Sequence, residues 1–376
     1  MLNNFFNYIS YYQWWKNLDK LIFSLIIIFF SIGLFFSLVS TSLIASDKLD
    51  TNSYFFFFKH LTFVLIGFII IFFFSFIKKK TLYKISTYIF YACLVLLILV
   101  PIIGIEIKGS KRWLDLIFLP RIQPIEFVKP FFIVILAIVL SNKRFPNYTL
   151  KFIFSFLLTF FIVSLLIIQP DIGQTLLISL SWITLIFVSG INLIFLLSIS
   201  TVGIISLLYV VFYIPKFEYI KSRLLSFFDS ENGSHNFQSD KAIDSIISGG
   251  FFGKGIGEGT LKNRVPEAHT DYIISVISEE FGVIVIMLIL ILFLLFIYLI
   301  FKKVENESDS INRLILIGLS SLILLQAMIH IGVNIRLFPT TGMTLPFLSY
   351  GGSSIISASI LSGIILNLTK RKVQIN

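Results

Sequence analysis

Val283-Ile-Val-Ile-Met-Leu-Ile-Leu-Ile-Leu-Phe-Leu-Leu-Phe-Ile-Tyr-Leu-Ile-Phe301 contains no charge and no proline. A helix rises 1.5 Å per residue, so about 20 such residues cross the hydrocarbon of a bilayer. The stretch predicts a spanning helix over 272–301. Nine more segments read the same way: 21–44, 54–77, 82–104, 127–141, 149–168, 172–190, 192–214, 314–336 and 344–368. The fourth is short. The junction of the sixth and seventh, Ser189-Gly-Ile-Asn192, leaves room only for a tight turn.

The composition agrees. The 376 residues are 57% hydrophobic and 13% charged, against about 45–50% and about 25% in soluble domains. A soluble enzyme and a disordered chain are both excluded. The 43 phenylalanines, often in runs such as Phe55 to Phe58, read as lipid-facing bulk. The lone cysteine, Cys93, allows neither an intrachain disulfide nor a cysteine-based zinc site. The first segment is too long, and wrongly flanked, for a cleaved signal peptide. The expected fold is therefore all-α: a polytopic integral membrane protein of about ten transmembrane helices, one domain over 1–376.

An even number of spans puts both termini on one side, and positive charge selects that side. With the termini inside, 15 of the 30 Lys and Arg lie inside and 13 outside. Seven of the outer ones fall in one long loop, 215–271, and four in segment 105–126. Long loops escape the positive-inside rule, so the termini are expected in the cytoplasm and loop 215–271 outside. Lys59 and Lys129 remain, both within predicted spans. A connection this long, without obvious secondary structure, reads as functional.

Several motifs have a plain and a chemical reading. Glu126 and Lys129 are three apart, on one helical face where a span begins, which suits a structural ion pair or a cavity lining. Lys111-Arg-Trp113 is a basic-aromatic cluster that headgroup anchoring would also explain. Asp171, in Gln169-Pro-Asp-Ile-Gly173, is placed to cap the next helix. Ser248-Gly-Gly-Phe-Phe-Gly-Lys-Gly-Ile-Gly-Glu-Gly-Thr260 has the wrong spacing for a phosphate-binding Walker loop. Its glycines suit close approach to a ligand, or a surface turn. Asp271 stands at the mouth of the eighth span, near Glu267 and His269, where an N-cap is the plain reading. Ser349, Gly351, Gly352, Ser353 and Ser354 are small enough for close helix contact.

Together these motifs carry a resemblance. Lys111-Arg-Trp, Gln123-Pro-Ile-Glu-Phe-Val-Lys129, Gln169-Pro-Asp-Ile-Gly173, Gly249 to Gly257, Pro266-Glu-Ala-His-Thr-Asp271 and Leu345-Pro-Phe-Leu-Ser-Tyr-Gly-Gly-Ser-Ser354 occur in one order. That order resembles the SEDS family (shape, elongation, division and sporulation) of bacterial cell-wall polymerases, over about residues 20–370. Pro266 to Asp271 and Gly342-Met-Thr-Leu-Pro346 look more like its division branch than its elongation branch.

The resemblance implies ten spans and a peptidoglycan glycosyltransferase that polymerises lipid II during septal wall synthesis, releasing undecaprenyl pyrophosphate. The family's essential aspartate falls on Asp271, and its acidic–basic pair on Glu126 and Lys129. Its substrate-binding loop positions fall on Arg112, Arg223 and Gln238. Lys254, Lys262 and Arg264 are further candidate cations for the pyrophosphate. The implied partners are lipid II, a class B penicillin-binding transpeptidase and other membrane proteins of the divisome, with no nucleic acid. The implied place is the bacterial cytoplasmic membrane at the septum. No cofactor is certain, and a divalent cation, Mg or Mn, stays open. The sequence departs from the family pattern at Ile125, Ala242, Arg336 and Ser230, where Ser, Ser, Gly and Pro are usual. A lipid II flippase needs the same charged cavity but no base at Asp271. A scaffold for a transpeptidase needs outward-facing apolar helix surface, which the composition allows anywhere.

Overall fold

The computed structural model describes residues 11–49, 54–107, 110–115, 120–142, 148–228, 237–261, 265 and 268–370. A short helix α1 (Tyr11–Asn17) leads into α2 (Lys20–Leu49), α3 (Phe55–Phe76) and α4 (Lys79–Ile103). Then come α5 (Pro124–Ser141), α6 (Tyr148–Ile168), α7 (Ile172–Val188) and α8 (Leu193–Tyr213). Two shorter helices follow, α9 (Glu218–Phe228) and α10 (Phe237–Gly249), before α11 (Ile273–Glu305), α12 (Ser310–Asn334) and α13 (Gly352–Leu368). Eight helices are long and apolar enough to cross a membrane, and α7 and α13 are shorter apolar helices. These ten match the ten segments of the sequence.

Polarity decides which helices sit inside. Lipid cannot hydrogen-bond, so polar side chains and charges turn toward protein. Helix α5 carries Glu126 and Lys129, α12 carries Gln326, His330 and Asn334, and α13 carries Ser353, Ser354, Ser357, Ser359 and Ser362; all are buried. By contrast α8 carries no charge and buries only Leu196 and Val211. Helix α13 packs tightly on α3 because small residues meet there. A Cβ on Gly67 would lie 2.3 Å from Ser359 Oγ, and one on Gly363 2.7 Å from Phe74 Cβ. Gly352 likewise faces the Phe63 ring, so the small-residue stretch serves close packing.

At the end expected in the cytoplasm, Asp19 caps α2 by accepting from the N–H groups of Leu21 and Ile22 at 3.1 and 3.2 Å. It also meets Lys303 at 2.6 Å. Burial alone would raise its carboxyl, but Lys303 and the two N–H groups outweigh that and hold it below the usual value.

The fold is all-α as expected, with one small addition, an antiparallel hairpin of Ile105–Ile107 (β1) and Ser110–Trp113 (β2). Three expectations need correction. Loop 215–271 is not without secondary structure, for it contains α9 and α10. The last span begins at Gly352 rather than 344; residues 345–350 form a turn. The eighth span is broken at Gly282, whose φ of 80° and ψ of 174° are not helical.

That break explains the glycine-rich loop. A break leaves carbonyls without their helical donors. Those of Glu279 and Glu280 accept instead from the N–H groups of Lys254 and Gly255, at 2.9 and 3.0 Å, and Val283 N–H donates to Gly250 O at 3.0 Å. Backbone lies directly on backbone here. A Cβ on Gly249 would come 1.9 Å from Ser278 O, and one on Gly253 2.2 Å from Glu280 O. The glycines therefore seat the loop on α11, rather than line a ligand site or an unconstrained surface turn.

Candidate active site

The ends of α3, α5, α12 and α13 expected to face outward, the hairpin strand β2, and helices α9 and α10 surround a cavity of about 620 Å³. Lys59, Arg112, Arg121 and Arg223 give its wall a basic character, and Glu126 and Asp271 supply carboxylates. Asp271, Arg112, Arg223, Gln238 and Glu126, distant in sequence, thus share one cavity. Lys129 is fully buried just behind it.

Asp271 is held by its backbone. Asn334, the last residue of α12, donates from Nδ2 to Asp271 O at 3.1 Å. Beside it, Ser349 Oγ donates to Thr270 O at 2.7 Å and Tyr350 N–H to His269 O at 3.1 Å. The 345–350 turn and the end of α12 so fix 269–271 against the cavity. The plain capping reading does not hold, because the N-cap of α11 is Tyr272, which makes no side-chain cap bond. Tyr272 lines the cavity with its hydroxyl buried and lacking a hydrogen-bond partner. Burial, and behind it the charge of Asp271, holds its phenol well above the usual range, so it stays protonated.

Arg112 is aimed by the Gln169-Pro-Asp motif. It donates from NH2 to Pro170 O and lies 3.7 Å from Asp171 Oδ1. Asp171 also accepts from Gln123 Nε2 at 3.2 Å and from Gln174 N–H at 3.4 Å. The predicted cap is present, and the same carboxylate orients a cavity arginine. Arg223 reaches the connection between α12 and α13 by donating to Thr340 O at 3.3 Å. The space a Cβ on Gly342 would fill lies 3.6 Å from Asp271 Oδ2 and 3.9 Å from an Arg112 terminal nitrogen. A carboxylate and a guanidinium therefore flank one small volume.

Below this floor lies the buried pair. Lys129 Nζ is 2.8 Å from Glu126 Oε1 and 2.7 Å from Oε2. Gln174 Nε2 donates to Glu126 Oε1 at 2.8 Å, and Lys129 donates to Gln326 Oε1 at 3.0 Å. Gln326 in turn donates to Thr344 O at 2.9 Å. Gln326, His330 and Asn334 recur every four residues along α12 and bind Thr344 O, Met343 O and Asp271 O respectively. This polar seam joins the ion pair to the segment holding Asp271.

Lys254 stands apart: it is exposed on the glycine-rich loop and does not line the cavity. Lys262, Arg264 and Glu267 lie outside the described residues, as does Ser230. The sequence reading missed Lys59, whose ammonium sits 4.2 Å from the Phe55 ring centroid; a lysine inside an apolar span was the available signal. It also missed Gln326, His330 and Asn334, whose four-residue spacing on a predicted span was legible. Among the described residues no group of three or more His, Cys, Asp or Glu could hold a metal ion.

Comparison with known proteins gives a consistent result. The family described as cell cycle protein, of FtsW, RodA and SpoVE, matches residues 19–374. A relative from Caulobacter vibrioides, named peptidoglycan glycosyltransferase FtsW, is 30% identical over 96% of this chain and 91% of its own length. Stage V sporulation protein E of Bacillus subtilis is 31% identical over 94% of this chain and 97% of its own. Among solved structures, a chain of a peptidoglycan synthase complex that coordinates polymerization and crosslinking superposes with a TM-score of 0.75 at 25% identity. The rod shape determining protein RodA of Thermus thermophilus gives 0.68 at 26%. Each alignment covers 94% of this chain and 97% of the other.

Proposed function

The chain belongs to the FtsW, RodA and SpoVE family of cell cycle proteins, and from that premise we propose that it is a peptidoglycan glycosyltransferase of the division branch, polymerising lipid II at the septum. The carrying observation is the small volume beside Gly342, flanked by Asp271 and Arg112 within a basic cavity. Relatives named FtsW, matching nearly the whole chain, support the branch.

The reaction joins the 4-hydroxyl of one lipid II sugar to the anomeric carbon of another. A C–O bond forms at that carbon while its bond to the lipid pyrophosphate breaks. The hydroxyl proton passes to Asp271 Oδ2, and the leaving pyrophosphate carries away the bonding pair. General-base help of this kind is worth about 10²–10⁴-fold. Arg112 and Arg223, with Lys59 in the same cavity wall, neutralise the leaving phosphates; preorganised cations need little rearrangement as charge develops. A divalent cation, held by a cavity carboxylate and the substrate phosphates rather than by a protein cage, would share this balance with the guanidinium groups. The polyprenyl tail lies along the apolar helices outside the cavity.

The termini and the short basic loops face the cytoplasm of a bacterial cell, and the cavity faces outward, where lipid II headgroups and a class B transpeptidase are found. The likeness to a synthase complex supports such a partner. The test is glycan chain length on a gel, from purified protein and lipid II, with and without a transpeptidase. Polymer from the wild-type protein is expected. Lipid II translocation without polymer, in either condition, would replace this reading with that of a flippase.

A further inference from the structure

Helix α12 ends in a hydrogen-bond pattern that normally calls for glycine. Leu337 N–H donates to Gly332 O at 2.7 Å, and Arg336 N–H to Val333 O at 3.2 Å. These are the two bonds of a Schellman motif, which puts Arg336 at the position that must turn left-handed. Its φ is +58°. Glycine takes this conformation freely, whereas a side chain with a Cβ is strained there. Such outliers persist where the surrounding structure over-determines them, and they cluster at functional sites.

The Arg336 guanidinium crosses to α10 and meets Asp240 Oδ1 at 2.8 Å. Two residues before Asp240, on the same helix, Gln238 lines the cavity. A few residues after Arg336, Thr340, Thr341 and Gly342 line it too. The pair therefore ties together two walls that are far apart in sequence. Both partners are partly exposed, at 25% and 41%, and exposed pairs add little to overall stability. Stability alone gives no reason to hold an arginine in a strained turn.

We propose that Arg336 is a positioning residue, a latch that with Asp240 holds α10 and its Gln238 against the 340–342 segment so that the cavity keeps its shape around substrate. The role rests on the polymerase reading, but part of its test does not.

Arg336→Gly removes the guanidinium and the strain together, so the variant is expected to melt at or above the wild-type temperature. Its kcat/KM for lipid II should nonetheless fall about tenfold, mostly through KM. The exchange Arg336→Asp with Asp240→Arg should recover part of that loss. Independently, spin labels at Ile247→Cys on α10 and Met328→Cys on α12, in a Cys93→Ala background, should give a narrow distance distribution. Arg336→Gly should broaden it and the exchange should narrow it again. Wild-type KM and an unchanged distribution in Arg336→Gly would overturn the latch. If the wild-type protein makes no polymer, the polymerase reading fails, and the distance widths alone then decide: broadening upholds the latch and equal widths end it.

Discussion

At the scale of a residue, Asp271 bears the chemistry, and its surroundings make it testable. Its backbone carbonyl, not its side chain, is what Asn334 holds, and Tyr272 occupies the cap position. Asp271→Asn therefore keeps size and anchoring while removing the basic carboxylate. Polymerisation should fall about 10²-fold or more, with the melting temperature and lipid II binding near wild type. Near-normal glycan synthesis by a folded Asp271→Asn protein would take the base role away from it. Lys254, exposed on a loop seated against α11, should behave oppositely: Lys254→Ala should polymerise like wild type, and a strong loss would mean that the loop swings into the cavity.

At the scale of an element, α5 and α11 set the site in place. Lys129 is fully buried, and its ammonium is shared between Glu126 and Gln326. Removing one member of a buried pair leaves the other uncompensated, at about 3–5 kcal/mol. Glu126→Ala or Lys129→Ala should lower the melting temperature and the folded yield, and the exchanged pair should recover part of both. Full stability of both single variants would show that the interior tolerates a bare charge. Helix α11 depends on its break. Gly253 has φ +77° and no room for a Cβ beside Glu280 O. Gly253→Ala should cost about 1–3 kcal/mol and expose the 249–261 segment to protease, whereas Gly257, with nothing near its Cβ position, is the comparison in which only the backbone angle is strained.

At the scale of the whole molecule, charge supports the proposed orientation. The short loops expected in the cytoplasm carry basic residues, and several of these are tied by ion pairs, Lys303 to Asp19 at 2.6 Å and Lys79 to Glu307 at 3.5 Å. The cavity lies at the other end of α11 and α12. Cysteines at Asp244 and Ser308, in a Cys93→Ala background, should differ: an impermeant maleimide added to spheroplasts should label the first and spare the second. Equal labelling of both would reverse or abolish this topology.

Ten helices were legible because the bilayer imposes one length and one polarity on each of them, a local property that any 20-residue window displays. Glu126 and Lys129 were legible as a pair because three residues along a helix bring side chains together wherever the helix lies. The separate motifs could be named, but their meeting could not be read from spacing. Arg112, Arg223, Gln238 and Asp271 come from β2, α9, α10 and the approach to α11; only the packing of those elements brings them to one cavity. The glycine-rich loop was misread for the same reason, since the surface it needs is a break in α11 at Gly282. The sequence by itself determined the membrane class and the helices, which depend on near neighbours along the chain, while the candidate carboxylate came from the resemblance that its ordered motifs carry. The tertiary structure decided which cation stands beside Asp271, which residue Arg336 meets and where Lys254 stands, because each is a contact between segments whose separation the chain does not encode locally.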